Sequence, residues 1–465
     1  MAFYRNLMVI YLSSLLWKLL ISYIFYSLPP SYFILLMKSH LESYPCPLQI
    51  NSFWNLGFLL GITIILQIIT GIFLGLHYTS DLNSAYSSLF FIIREIFYGW
   101  CLRYLHSSGA SFVFLFLFLH LGRAISYGSY FYNPNTWFSG IILFFFLMAT
   151  AFMGYVLPFG QMSFWGATVI TNLLSPFPCL IEWVSGGHYV YNPTLKRFFL
   201  FHFLLPFILC GFRILHLFYL HLLSSNNPLR NSRNNKIPFF PFIFQKDVFG
   251  LIIILCLYLL QTHFGISSFS HPDNALEVCG LLTPLHIVPE WYFLCQYAML
   301  KAVPNKNAGF IILLTSIFLL FIFGEIRNLT TLVLLNNNGF LLSFFFYSCL
   351  CFLWIGAQFP QEKFLSYGRI LTLHYYFLLM CILFSFSNIF FGILDKWVSC
   401  QLFWSSSWHL VYKLLRNSMS YNLSTNSLIL WYINGWWTGS SGHKLVKTFL
   451  SLLGQGHNFY LDRYL

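Results

Sequence analysis

Runs of about twenty apolar residues recur along this chain, separated by short polar stretches, and no other feature of the sequence narrows the fold as far. In hydrocarbon every backbone N–H and C=O must be paired within the structure, and a run of this length does so by itself only as a helix. Only 8% of the 465 residues are charged, against 58% apolar and 21% aromatic, too few to clothe a water-soluble globule. The fold class implied is all-α and polytopic. Eight spans are predicted, at about 54–77, 106–126, 137–157, 196–222, 248–268, 308–326, 339–358 and 370–392. Upstream, Leu7–Leu28 carries Lys18 and ends at Pro29-Pro30; it reads as a ninth span or as a helix lying in the interface, and both readings stay open. Downstream, residues 397–465 mix Trp, Ser, Asn and Lys without a full-length apolar run, and are expected outside the bilayer. The chain then divides into an N-terminal extension (1–37), a four-helix bundle (38–235), helices five to eight (236–396) and a C-terminal extension (397–465). No short-period repeat is present.

The formal charge of +12 is scattered between the spans and forms no dense tract, so it orients loops and does not suggest a nucleic-acid partner. Arg230, Arg233, Lys236 and Lys246 place the loop from Ser224 to Asp247 on the negative side of the membrane, matrix or cytoplasm. The loops at 158–195 and 269–307 then face the positive side, although Lys196 and Arg197 argue the other way.

Two spans each carry a pair of histidines fourteen residues apart, His106 with His120 and His202 with His216. Fourteen residues rise about 21 Å and complete nearly four turns, so each pair lies within about 40° on one helix face. Both helices run from the positive to the negative side, so His106 meets His202 and His120 meets His216. Two bis-imidazole sites at two depths suit low-spin haem iron that passes single electrons. One intramembrane histidine would more often be a hydrogen-bonded core group or a proton relay; two pairs with equal spacing reverse that preference. Gly57 and Gly71, and Gly140 and Gly154, repeat the fourteen-residue spacing, as a flat macrocycle between helices requires. Ordinary close packing explains the glycines but not their shared period. Arg103 and Arg123 sit at span ends, where a guanidinium pairs with haem propionates or snorkels to the interface. The eleven cysteines show no CxxC, no CxxCH and no Cys/His cluster, so any haem is non-covalent, and an iron–sulfur or zinc centre belongs to another subunit. The N-terminus lacks the Arg-rich character of a transit peptide, and the 56 Phe point to a product made inside the organelle that uses it.

Five blocks carry a resemblance to the mitochondrial cytochrome b family, the core of ubiquinol:cytochrome c oxidoreductase (respiratory complex III). They are NLGFLLGITIILQIITGIFLGLHYTSD (55–81), GYVLPFGQMSFWGATVITNLL (154–174), FHFLLPF (201–207), SNNP (225–228) and PEWYF (289–293). The resemblance covers roughly residues 38–395. It implies two non-covalent b-type haems, the low-potential one bound by His106 and His202 and the high-potential one by His120 and His216, with ubiquinol and ubiquinone as substrates. It implies that Tyr155, Gly166, Pro289, Glu290 and Tyr292 belong to a quinol-oxidation pocket on the positive side. It assigns His221, Ser225 and Asp247, with Lys246 adjacent, to quinone reduction on the negative side. Glu290 is a candidate proton acceptor, with a plain helix-end charge as the alternative. Asp247 could equally pair with Lys246 at a loop end. The implied partners are a Rieske iron–sulfur protein, a cytochrome c-type subunit, other complex III subunits, membrane lipids and a second copy of the complex. The implied location is the mitochondrial inner membrane.

Four departures from the family pattern stand out. The loop after Leu174 (SPFPCLIEW) is about four residues shorter than usual; Phe159 stands where the family has Trp; and Phe240 in KIPFFP replaces a usual His. Arg213 puts a charge inside the fourth span, expected to face the interior near the negative-side haem and make that haem easier to reduce, or to pair with a propionate. Two rival readings are a proton-coupled transporter, which would be colourless, and the dihaem anchor of a dehydrogenase, which would have one quinone site and no use for the PEWY loop.

Overall fold

In a computed structural model of the chain, residues 35, 38–228, 235–325 and 339–385 are described, and all that follows concerns these. Helices occupy each of the eight regions expected to span: Leu56–Gly75, Gly99–Ser126, Pro134–Val156, Asn192–Leu223, Phe244–Phe264, Lys306–Glu325, Gly339–Gly356 and Glu362–Ser385. The first six, taken with flanking turns, are long and apolar enough to cross a bilayer. The count of eight spans is thus not reached by length and composition alone. The Gly339–Gly356 helix is short, and the Glu362–Ser385 helix opens with Glu362 and Lys363 and carries Arg369. The second helix starts at Gly99, a full two turns before the predicted boundary, because Gly99 to Leu105 continue a helical pattern despite Arg103. The Leu7–Leu28 segment, Arg230, Arg233 and the 397–465 tail lie outside the described residues.

The described residues form two compact units. One runs up to Tyr127 and adds Leu143–Pro158 and Phe198–Phe269; the other comprises Gly128–Ile142, Phe159–Arg197 and the described residues from Ser270 onward. The fifth long helix, Phe244–Phe264, therefore packs in the first unit, against the Leu56–Gly75 and Gly99–Ser126 helices.

In the first unit those last two helices make the most extensive contact, and Gly109 marks a close approach. A Cβ there would run into the Gln67 amide and the Tyr258 hydroxyl. Tyr258 donates to the Leu105 carbonyl, tying the fifth long helix to the second. At one end of this unit a two-stranded antiparallel ladder pairs Pro45–Pro47 with Lys236–Pro238. Beneath it Tyr44, Cys46, Ile50 and Ile243 form a small core. The Asn192–Leu223 helix stops at Ser224, whose φ of 67° is in the left-handed region; its Oγ donates to the Pro45 carbonyl at 3.2 Å.

In the second unit the Gln161–Asn172 helix hangs on the Pro272–Ala275 turn. The Ser163 amide and hydroxyl both donate to Asn274 Oδ1 at 2.9 Å, and the Gln161 amide donates to the Leu276 carbonyl at 3.0 Å. Phe159 enters this helix with a positive φ of 52° and only 1% exposure, packed edge-on against Phe164. Lys301 ties the Leu294–Ala302 helix to the end of Gly339–Gly356 by donating to the Gly356 and Gln358 carbonyls, both at 2.9 Å.

Candidate functional site: two imidazole pairs at two depths

The first unit brings the four intramembrane histidines together in pairs. His106 and His202 have ring centroids 6.1 Å apart, and His120 and His216 6.4 Å apart. Two rings that share one metal through bonds of about 2 Å, with each nitrogen about 1 Å from its ring centroid, have centroids about 6 Å apart. The separations fit one ion between each pair. Among the described residues no group of three or more His, Cys, Asp or Glu gathers to hold an ion unaided, so the remaining donors would have to come from a macrocycle.

Glycines clear the space that the imidazole rings occupy. A Cβ on Gly57 would stand 3.1 Å from His120 Cε1, one on Gly71 3.0 Å from His106 Cε1, and one on Gly154 2.8 Å from His202 Nδ1. Gly140 lies half-buried in the Pro134–Val156 helix. The Nδ1 atoms of one level are already engaged. Thr70 Oγ1 donates to the Leu66 carbonyl at 2.8 Å, which leaves its oxygen to accept from His106 Nδ1 at 3.0 Å. His202 Nδ1 donates to the Thr150 carbonyl at 2.8 Å. With Nδ1 as the donor in both rings, Nε2 is left unprotonated, the tautomer a metal needs.

At the other level Arg123 reaches back along its own helix. Its Nη2 donates to His120 Nδ1 at 3.3 Å, its guanidinium carbon lies 5.1 Å from the Trp54 ring centroid, and its buried Nε has no partner among the described residues. A carboxylate drawn to this guanidinium would free Nδ1 and satisfy Nε at once. Arg103 lies one turn before His106 in the same helix. Arg213, on the His216 helix, turns toward the Leu56–Gly75 helix, with Nη1 3.5 Å from the Gly61 carbonyl.

A second cluster lies at the end of this unit that carries the short ladder. His221 stacks on Tyr44 with centroids 4.0 Å apart, and its Nδ1 is 2.9 Å from Nδ1 of His40. Asp247 is only 4% exposed and sits in the first turn of the Phe244–Phe264 helix, not in a loop. Lys246 donates to the Ile50 carbonyl at 3.1 Å. Its ammonium is therefore not spent on Asp247, as the pairing alternative supposed. Burial, with the Asp247 carboxylate adding to it, pushes the Cys46 thiol up to about 11, so Cys46 stays a neutral packing group. Ser225 follows the left-handed Ser224, and its neighbour Asn226 donates to the Tyr127 carbonyl at 3.1 Å. Phe240 sits at the non-helical step that opens this segment and packs against Phe244.

Gly166, Pro289, Glu290 and Tyr292 lie in the second unit, and Tyr155 in the first. A Cβ on Gly166 would meet open space. Glu290 precedes the Trp291–Phe293 turn and its carbonyl accepts the Phe293 amide at 2.9 Å; Tyr292 is 5% exposed. Tyr297 holds the preceding loop by donating to the Ile287 carbonyl at 2.8 Å, and burial raises its phenol above the usual range. In the first unit the Tyr78 hydroxyl donates to the Leu157 carbonyl at 2.7 Å, close to Tyr155 in sequence.

Sequence reasoning missed four of these participants. Thr70 and Thr150 act on histidines of other helices, and Thr150 does so through its backbone carbonyl, which no side-chain pattern marks. His40 and Tyr44 precede the first span and belong to no periodic face. The one available signal was a histidine and a tyrosine four residues apart just before a membrane entry.

Six helices long and apolar enough to cross a bilayer, with imidazoles paired between them, describe a multi-pass helical membrane protein. The description "Cytochrome b/b6/petB" matches residues 41–224, and "Cytochrome b(C-terminal)/b6/petD" matches 279–377. The chain belongs to the cytochrome b family, and haem binding follows from that membership. It is similar to the cytochrome b of Plasmodium falciparum, 51% identical over 345 residues (73% of this chain, 92% of the relative). The Toxoplasma gondii cytochrome b is 46% identical over 348 residues (73% and 94%). Among solved structures, a hyperthermophilic respiratory complex III contains a chain that superimposes with a TM-score of 0.70 at 26% identity, covering 76% of this chain and 95% of that one.

Proposed function

We propose that this chain is the cytochrome b subunit of a complex III-type quinol:cytochrome c oxidoreductase in the mitochondrial inner membrane. It would oxidise ubiquinol on the positive side and reduce quinone on the negative side, coupled to proton translocation. The observation that carries this reading is the facing of His106 with His202 and of His120 with His216 at separations suited to one shared ion per pair. Each pair would hold a b-type haem, the low-potential one at His106/His202; when bound, these groups supply a path for single electrons between the membrane faces.

The chain's own residues do the rest. The Thr70 hydroxyl and the Thr150 carbonyl anchor Nδ1 of their histidines, which fixes ring orientation and makes Nε2 a better donor. Arg103 and Arg123 would neutralise propionates. A quinol that loses two electrons also sheds two protons. Glu290, a carboxylate at the start of a short turn, accepts one of them and passes it to water. At the opposite membrane face, His221 and Asp247 donate hydrogen bonds and protons to the quinone oxygens as electrons arrive. One of the two quinol electrons needs a high-potential acceptor that this chain does not encode. That calls for a Rieske protein and a cytochrome c-type subunit within a dimeric complex.

Replacing Glu290 with Gln is expected to lower the quinol-oxidation rate about a hundredfold while leaving the b-type spectrum intact; steady-state cytochrome c reduction in isolated membranes measures it, and unchanged turnover would remove Glu290 from the proton path. Thr70→Val takes away the acceptor for His106 Nδ1 and is expected to weaken haem retention at that level about tenfold. The check is haem content per complex after purification in detergent; full retention would show that the hydroxyl contributes nothing to ligand strength. The reading as a whole is tested by titrating the reduced-minus-oxidised spectrum against potential. Two b-type components are expected, and a colourless protein would sink it.

A further inference from the structure

We propose that Arg213 is a positioning charge for the second imidazole pair, making the group held by His120 and His216 easier to reduce. The inference rests on the assignment of a haem to that pair. Arg213 lies on the same helix as His216 and three residues before it, a rise of about 4.5 Å. Its guanidinium crosses to the Leu56–Gly75 helix, where a Cβ on Gly61 would stand 2.5 Å from Nη2 and 2.6 Å from the guanidinium carbon. Gly61 is one turn from Gly57, the residue that clears the His120 ring. The charge therefore lies one turn inward of the His120/His216 level and several turns from His106/His202.

An intramembrane cation is expensive unless a counter-charge accompanies it. The described ion pairs of Glu182, Asp273 and Glu362 do not involve Arg213. Its described polar contact is the Gly61 carbonyl, 3.5 Å from Nη1. A carbonyl dipole orients the guanidinium without cancelling its charge. The missing side chain at Gly61 is what lets so large a group reach the backbone there. Such an uncompensated charge favours any neighbouring centre that gains an electron. At about 10 Å in an effective dielectric of about 20, the preference amounts to roughly tenfold in the ratio of reduced to oxidised centre. By the same relation the more distant pair, eleven residues or about 17 Å along the helix, should feel roughly fivefold.

The experiment is a potentiometric titration of the b-type bands in membranes carrying the assembled complex, for the parent chain, Arg213→Gln, Arg213→Leu and Arg213→Lys. Haem content is measured on each sample. Gln and Leu are expected to lower the midpoint of the component assigned to His120/His216 by about 59 mV, the tenfold change for one electron. The other component should move by a smaller amount, and Lys should restore most of the loss. Unchanged midpoints in Gln and Leu, or equal shifts in both components, would overturn the proposal. So would loss of haem from every variant, because the residue would then be structural. The parent titration separates this from the wider reading: two b-type components with Arg213 silent defeats only the present inference, whereas no b-type component defeats both.

Discussion

If His216 holds a haem as proposed, replacing it with Leu is expected to remove one of two b-type components, about half of the b-type absorbance, and to stop electron delivery to the proposed negative-side quinone site. Leucine approximates the volume of the imidazole and its apolar character suits the span, so the helix should still insert. What is lost is the nitrogen, and a haem that two imidazoles would hold would be open to exchange with only one of them left. The partner ring, His120, would be left beside Arg123, whose Nη2 already lies 3.3 Å from its Nδ1. Difference spectra of the variant complex would show the loss, and steady-state reduction of cytochrome c would show its consequence. Retention of both components at full amplitude would mean that His216 is not a ligand, however well its ring faces His120 in the bundle.

The second large effect is expected at Gly154. Here even a methyl group would press into the His202 ring, 2.8 Å from Nδ1 and 3.1 Å from Nε2. Gly154→Val adds a branched side chain where the His202 ring leaves no room. Overpacking of this kind costs about 1–3 kcal/mol or more, so haem affinity at the His106/His202 level should fall roughly ten- to hundredfold. His202 cannot simply swing away, because its Nδ1 is bonded to the Thr150 carbonyl on the same helix as Gly154. Haem stoichiometry by extraction, combined with the band that remains, tests this. A variant with both components intact would show that the ring and its helix shift freely, and the clearance argument would fail. Gly166→Ala is the contrast, since a Cβ there meets nothing.

These sites differ in how far the sequence announces them. Histidine pairing is legible because helix geometry converts a spacing of fourteen into a shared face, and matching directions of two spans decide which ring meets which. The glycine clearances follow from the same arithmetic at Gly57, Gly71 and Gly154. The long helices are legible because lipid permits few alternatives to them. What lies between helices is harder to read. Thr150 acts through a carbonyl, and a carbonyl has no residue type. The reach of Arg213 to Gly61 depends on rotamers and on a neighbour more than 150 positions away in sequence. Asp247 looked like a loop residue because Lys246 beside it suggested a solvated end. Instead the Lys246 ammonium anchors to the Ile50 carbonyl, and the helix begins before both. His40 was invisible to periodicity because the Lys38–Glu42 turn that carries it is too short to have any.

Asn274 uses one oxygen to accept both donors of Ser163. The segment that carries Gly166 and the turn that precedes the Glu290 loop are thus clamped as one piece, though the chain leaves the region and returns between them. Evolution cannot tune one without the other: a residue inserted on either side of the clamp would slide the glycine helix along the acidic turn, so tolerated variation in these loops should arrive in matched pairs.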